Sequence, residues 1–172
     1  MGLLTDKVAV ITGGISGLGR ASALRYAAEG ASVVVADINA ERGKKAAEEM
    51  SAGGASIEFI QVDVTSQASQ QALFDDVVAR YGRVDTVLAA AGVSSSGYIS
   101  GEVSEVEAEP EERMFHNRTV EDWEKVMAVN VTGVMLTNKI AITHMLAQQT
   151  KGTIVNIASI AGRRPLPGAS DY

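Results

Sequence analysis

Near the start of the chain, TGGISGLGR (residues 12–20) places Gly13, Gly17 and Gly19 between a β-branched run and a helical pattern. Glycine permits a sharp strand-to-helix turn and lets the backbone come close enough for amides at a helix N-terminus to face a pyrophosphate. The spacing, G-x-x-x-G-x-G, meets the dinucleotide-binding fingerprint in mechanism and not in letter. Taken alone, the glycines also suit a plain tight turn. Asp37 ends the next β-branched run, where a carboxylate can accept hydrogen bonds from the ribose hydroxyls of an adenosine. It would repel a 2′-phosphate, and neither Ser16 nor Ile38 carries the positive charge such a phosphate needs, so the expected cofactor is NAD. The other reading of Asp37 is a cap for the following helix. Asp63, in VDVTS, suits equally a contact with the adenine and a cap for the helix that starts at Gln67.

Other chemistries are poorly supplied. There is no cysteine, which removes disulfides, thiolate metal sites and a cysteine nucleophile together. His116 and His144 are far apart in sequence, which favours surface or packing roles over a metal site. A net charge of −6 argues against a nucleic-acid partner held by phosphate neutralisation. The sequons at Asn117 and Asn130 read as chance, since MGLLTDKVAVITGG has no export pattern; a cytoplasmic protein is expected. No apolar run reaches the length of a bilayer crossing, so no membrane partner is expected.

These residues need a scaffold, and the chain spells one out. KVAVIT (7–12), SVVVAD (32–37), IEFIQV (57–62), VDTVLAA (84–90) and GTIVNIAS (152–159) are nearly continuous in hydrophobicity, as parallel strands buried on both faces are. Between them lie amphipathic stretches over 18–29, 40–50, 67–81 and 120–149. This alternation specifies right-handed crossovers and an open parallel sheet covered on both sides, within one domain.

With these elements in place, the chain resembles the short-chain dehydrogenase/reductase family in its compact single-domain branch. Residues 12–19 match that family's T-G-x-x-x-G-x-G loop; AAAG (89–92) corresponds to its N-N-A-G element; Asn130, in MAVNVTG, matches its helix asparagine; Ser159 and Tyr172 reproduce its S-x12-Y spacing. The resemblance implies a Rossmann-like doubly wound parallel sheet of five strands in the order 3-2-1-4-5, a single NAD-binding domain over 1–172, with the family's C-terminal strands missing. It also implies cofactor contacts from Gly13, Ser16, Gly17, Leu18, Gly19, Asp37, Asp63, Val64, Ala91 and Gly92, and no metal. The implied activity is interconversion of a small neutral secondary alcohol and a ketone. In it the Tyr172 phenolate takes the substrate proton as hydride passes to the nicotinamide, Ser159 holds the substrate oxygen, and Asn130 anchors a water in the proton path. Without the resemblance, Ser159 reads as a polar turn after a strand and Asn130 as a buried amide bonded to backbone.

There are two departures from the family pattern. Both asparagines of N-N-A-G are alanine, so the polar tie between neighbouring strands is expected to be lost or replaced. The family's catalytic lysine, four positions beyond Tyr172, falls outside the 172 residues. An unperturbed tyrosine, with a pKa of about 10, is about one part in a thousand ionised at pH 7, a handicap of roughly 4 kcal/mol. The expectation is that this chain by itself is catalytically incompetent and that its longer parent is a dehydrogenase; the alternatives are a non-catalytic nucleotide-binding module and, more remotely, a methyltransferase. The acidic run GEVSEVEAEPEE (101–112) reads as a solvated loop, or as a border of the site that disfavours anionic substrates. Trp123, Val126, Met127, Val134, Ile140 and Met145 spread around more than one side of the 120–149 helix, so a homo-oligomer contact through that helix is expected. The remaining alternative is a helix buried wholly within its own domain.

Overall fold

The computed structural model describes residues 2–94, 111, 114–149 and 151–164. Tyr172 and, except for Glu111, the acidic run lie outside the described residues. Strands β1 (Val8–Thr12), β2 (Ser32–Asp37), β3 (Ile57–Gln61), β4 (Thr86–Ala89) and β5 (Thr153–Asn156) alternate with helices α1 (Gly17–Ala28), α2 (Ala40–Ser51), α3 (Gln67–Tyr81), α4 (Val120–Met127) and α5 (Val134–Ala147). The strands form one parallel sheet in the order β3-β2-β1-β4-β5, the expected arrangement.

Period-two burial explains why this sheet needs helices on both sides. Along β1, Val8 and Val10 belong to one core, with Val34, Val87, Leu73, Phe74, Val77, Ile140 and Met145. Ala9 and Ile11 point the other way, into a second core with Val33, Val35, Ala23, Ala47, Met50 and Leu88. The first core is capped by α3 and α5 and the second by α1 and α2. Fully burying a Val or Leu side chain contributes about 1.5–3 kcal/mol, so a strand buried on both faces is anchored twice over.

Helices α4 and α5 are joined by a π-helical segment, Ala128–Gly133, and run as one continuous helix of 28 residues, Val120–Ala147. By length and composition it is apolar enough to cross a membrane, which corrects the expectation of no such segment: its charged residues, Lys139 apart, gather in the first turns at Glu121, Asp122, Glu124 and Lys125, and the apolar stretch beyond is broken only by Lys139, His144 and small polar residues. Ile140, Ala141 and Met145 commit one of its faces to the core under the sheet, and Val126 and Leu136 are buried as well. Of the residues expected to form an outer apolar surface, Val126, Ile140 and Met145 are therefore core residues. The exposed apolar stripe is formed by Val131, Met135, Ile142 and Leu146, with Trp123 partly exposed further up the helix.

At the strand N-termini, one buried carboxylate closes the sheet. Asp85 accepts a hydrogen bond from the Val8 amide (2.9 Å) and two from the Arg83 guanidinium (2.8 and 2.5 Å), with the Lys7 ammonium at 3.6 Å. Burial opposes its ionisation, but the Arg83 bonds, the Val8 amide and Lys7 outweigh burial and hold its pKa below the usual carboxylate range. A carboxylate with a depressed pKa contributes stability above its unfolded value, and loses that contribution as pH falls through the folded one. Asp85→Ala, which leaves the Val8 amide without its acceptor, is expected to cost about 2 kcal/mol at pH 7 in urea unfolding. The gap between the parent and Asp85→Asn should shrink below about pH 4; a gap independent of pH would show that the charge contributes nothing.

Candidate functional site

The turn between β1 and α1 is built from main chain at close quarters. The Gly13 amide donates to the Ala36 carbonyl (2.8 Å), which draws the turn onto the end of β2. A Cβ on Gly13 would stand 2.7 Å from the Ala91 backbone, and one on Gly19 only 2.1 Å from the Gly13 carbonyl oxygen. Gly17 has open space around it; it adopts φ +49, a left-handed conformation that favours glycine. The three glycines thus meet two separate demands, close backbone approach and a left-handed turn.

α1 also differs from its neighbours at the N-terminus. Asn39 caps α2, Ser66 caps α3 and Thr119 caps α4, each through its side chain. Ser16, at the same place on α1, makes no side-chain cap bond. The first-turn amides of α1 carry the positive end of the helix dipole, and no cap draws on them.

Above this turn, at the carboxyl ends of the strands, lies a cleft of about 570 Å³. Every expected cofactor contact lines it: Gly13, Ser16, Gly17, Leu18, Gly19, Asp37, Asp63, Val64, Ala91 and Gly92. The Asp37 residue is 4% exposed, and its Oδ1 accepts from the Asn39 amide (3.3 Å). The capping role considered for Asp37 belongs to Asn39, whose Oδ1 accepts from the Arg42 amide (3.1 Å). The capping role considered for Asp63 likewise belongs to Ser66; Asp63 Oδ1 instead accepts from the amide and hydroxyl of Thr65 (2.9 and 2.7 Å), bracing the loop that forms one cleft wall. These features fit a dinucleotide: uncapped amides beside glycines where a pyrophosphate needs room, and a carboxylate at the end of β2.

The expected catalytic residues sit differently. Asn130 lies within the π segment and does not line the cleft; its Oδ1 accepts from the Val93 amide (2.9 Å) and its Nδ2 donates to the Val93 carbonyl (2.8 Å). This is the backbone-bonded arrangement, and it holds the Gly92–Val93 wall in place. Ser159 follows β5, and its Oγ accepts from the Ala161 amide (3.1 Å) to cap the short turn Ile160–Gly162. Two residues earlier, Ile157 lines the cleft. Alanine at 89 and 90 supplies no side-chain tie; the strand ends are joined there by main chain, with the Ala90 amide donating to Thr12 (3.1 Å) and the Ile157 amide to Ala89 (3.1 Å).

Sequence reasoning missed several lining residues. Val62, Val93 and Ile157 flank strand ends that were recognised, so proximity along the chain would have found them. Lys125, Ala128 and Val129 come from α4 and the π segment, and nothing local marks them. A second groove, of about 410 Å³, shares Ser16 with the cleft and gathers Arg20, Arg42, Lys45 and Glu49 from α1 and α2. The search for cations at positions 16 and 38 overlooked it, though none of its three cations lines the cleft itself. Among the described residues no cluster of His, Asp or Glu could hold a metal ion.

The family model for short chain dehydrogenases matches residues 7–172. The chain is 37% identical over 169 residues to the 2,5-dichloro-2,5-cyclohexadiene-1,4-diol dehydrogenase LinX of Sphingobium indicum, covering 98% of this chain and 61% of that protein. It is 35% identical to the meso-2,3-butanediol dehydrogenase of Serratia marcescens, with coverages of 97% and 59%. Among solved structures, a short chain dehydrogenase from Mycobacterium smegmatis superposes with a TM-score of 0.86 at 29% identity, over all of this chain and 66% of that one. An NAD+-bound xylitol dehydrogenase superposes with a TM-score of 0.80 at 28% identity, over 99% and 59%. The chain thus spans about three fifths of the length of its curated relatives. A parallel sheet in this order, a glycine turn under an uncapped helix and a match across nearly the whole chain lead to one assignment: the chain belongs to the short-chain dehydrogenase family.

Proposed function

We propose that the protein is an NAD-dependent oxidoreductase that interconverts a secondary alcohol and a ketone, and that these residues supply its cofactor cleft and its acid/base tyrosine. The observation that carries the reading is the cleft itself, where all the expected contacts converge on one surface around a buried Asp37 carboxylate. The first-turn amides of α1 face the pyrophosphate, and Asp37 accepts from the adenosine ribose hydroxyls. Asp37 selects against a 2′-phosphate, and the cations of the neighbouring groove stand outside the cleft. Bound NAD supplies the hydride acceptor. Asn130 contributes by fixing Val93, Ser159 by holding the substrate oxygen, and Tyr172 by exchanging the substrate hydroxyl proton. Relatives whose names describe diol and xylitol dehydrogenases support a small alcohol as substrate. The apolar stripe of Val131, Met135, Ile142 and Leu146 serves as a contact with a second copy of the chain.

Calorimetric titration should show NAD binding at least tenfold tighter than NADP, with the preference removed by Asp37→Ala; equal affinities for the parent would end the NAD assignment. In the protein at its natural length, Tyr172→Phe should lower turnover of secondary alcohols by a factor of about 10² or more while leaving NAD affinity unchanged. Undiminished turnover would remove the tyrosine from the mechanism. Light scattering should give at least a dimer, reverting to monomer with Met135→Asp; a monomeric parent at high concentration would contradict the contact.

A further inference from the structure

A buried amide outside the cleft joins the β3–α3 loop, which lines it, to the π segment. Gln70, on the first turn of α3, is fully buried, and its side chain is fully bonded. Its Nε2 donates to the Val64 carbonyl at 2.6 Å and to the Gly133 carbonyl at 3.0 Å, and its Oε1 accepts from the Thr137 hydroxyl at 2.7 Å. Val64 belongs to the β3–α3 loop that forms one wall of the cleft. Gly133 ends the π segment, and Asn130 of the same segment holds the amide and carbonyl of Val93, which also lines the cleft.

The π segment is also seated directly on the loop. A Cβ on Gly133 would lie 3.1 Å from Val64 Cγ2 and 3.3 Å from the Val64 carbonyl oxygen. The loop is braced from α3 at successive residues, by the Ser69 hydroxyl, which accepts from the Asp63 amide (3.0 Å), and then by Gln70 on Val64. A path of short hydrogen bonds therefore runs from Val64 through Gln70 to Gly133, along one turn of π helix to Asn130, and on to Val93.

We infer that Gln70 is a positioning residue: by fastening the π segment to the β3–α3 loop it fixes where Val64 and Val93 stand relative to one another in the cleft lining, and with it the affinity of the cleft for the dinucleotide. A hydrocarbon of the same length would fill the space, leave the Val64 carbonyl without the Gln70 donor and leave the Gly133 carbonyl to the Thr137 hydroxyl (2.9 Å), so no bond would join the loop to the π segment through this side chain. The inference rests on the dinucleotide reading of the cleft for its affinity arm only.

The test compares Gln70→Met with Thr137→Val in the 172-residue chain. Both remove hydrogen bonds from the same buried network, so both should lower the melting temperature. Thr137→Val removes the hydroxyl from Gln70 Oε1 and from the Gly133 carbonyl (2.7 and 2.9 Å), but leaves the Gln70 bonds to Val64 and Gly133, which join the loop to the π segment, in place. Gln70→Met is expected to speed hydrogen exchange of the Val93 amide at least tenfold at a temperature where the protein remains folded, and to weaken NAD binding about tenfold. Thr137→Val should change both by less than twofold. Unaltered Val93 exchange in Gln70→Met, or equal effects from both variants, would overturn the inference and reduce Gln70 to a packing role. If Gln70→Met does not fold, Gly133→Ala serves instead, since its methyl group, 3.1 Å from Val64 Cγ2, crowds the contact between the π segment and Val64 while improving helix propensity. Faster Val93 exchange in that variant supports the coupling, and unchanged exchange overturns it. If the parent does not bind NAD, the dinucleotide reading fails while the exchange comparison still decides the role of Gln70.

Discussion

The cleft depends on how closely the β1–α1 turn can approach its neighbours. With only 2.1 Å between a Gly19 Cβ and the Gly13 carbonyl, and 2.7 Å between a Gly13 Cβ and the Ala91 backbone, no side chain can be interposed. That approach brings the α1 amides to the sheet edge, within the same cleft as Asp37 and Gly92. It is also what couples the turn to β4, because Ala90 and Ala91 are the residues against which Gly13 rests. Main-chain bonds from Ala90 to Thr12 and from Ile157 to Ala89 tie the three strands where the family has asparagines and this chain has alanines.

Much of this scaffold was legible in the sequence, for a physical reason. A parallel strand buried on both faces must be apolar throughout, so runs such as SVVVAD announce both the strand and its depth; β2 spans Ser32–Asp37 as read. Helix α3 likewise occupies Gln67–Tyr81, because Ser66 starts it and Gly82, in a left-handed conformation, stops it. The ends of β4 and β5 were read too long, since apolar residues continue past the last ladder bond into the loops that line the cleft.

What remained hidden depends on contacts between distant parts of the chain. The π segment has no composition of its own: AVNVTG reads as ordinary helix, and its irregularity shows only beside Val64, Val93 and Gln70. Gln70 looks like one more polar residue on an amphipathic helix, yet it is as buried as Phe74, because backbone carbonyls inside a core need donors and the chain supplies one from the side. Asn130 is expected from the family pattern to anchor a catalytic water, but its visible work is to hold a loop and not to face the cleft. The roles of the asparagines, serines and glutamines that brace the walls are set by bond partners sixty or more residues away in some cases and two in others, and spacing along the chain does not distinguish them.

Where a dinucleotide meets the chain decides what the cleft is for. Backbone amide resonances followed by heteronuclear NMR during addition of NAD answer this directly. The structure predicts the largest shifts at Gly13, Gly17, Leu18 and Gly19, with further shifts at Asp37, Val64 and Gly92, and none at Gly53 and Gly54 in the turn between α2 and β3 on the far side of the sheet. Shifts confined to Arg20, Arg42 and Lys45 in the neighbouring groove, or no saturable shift at the glycine turn, would contradict it.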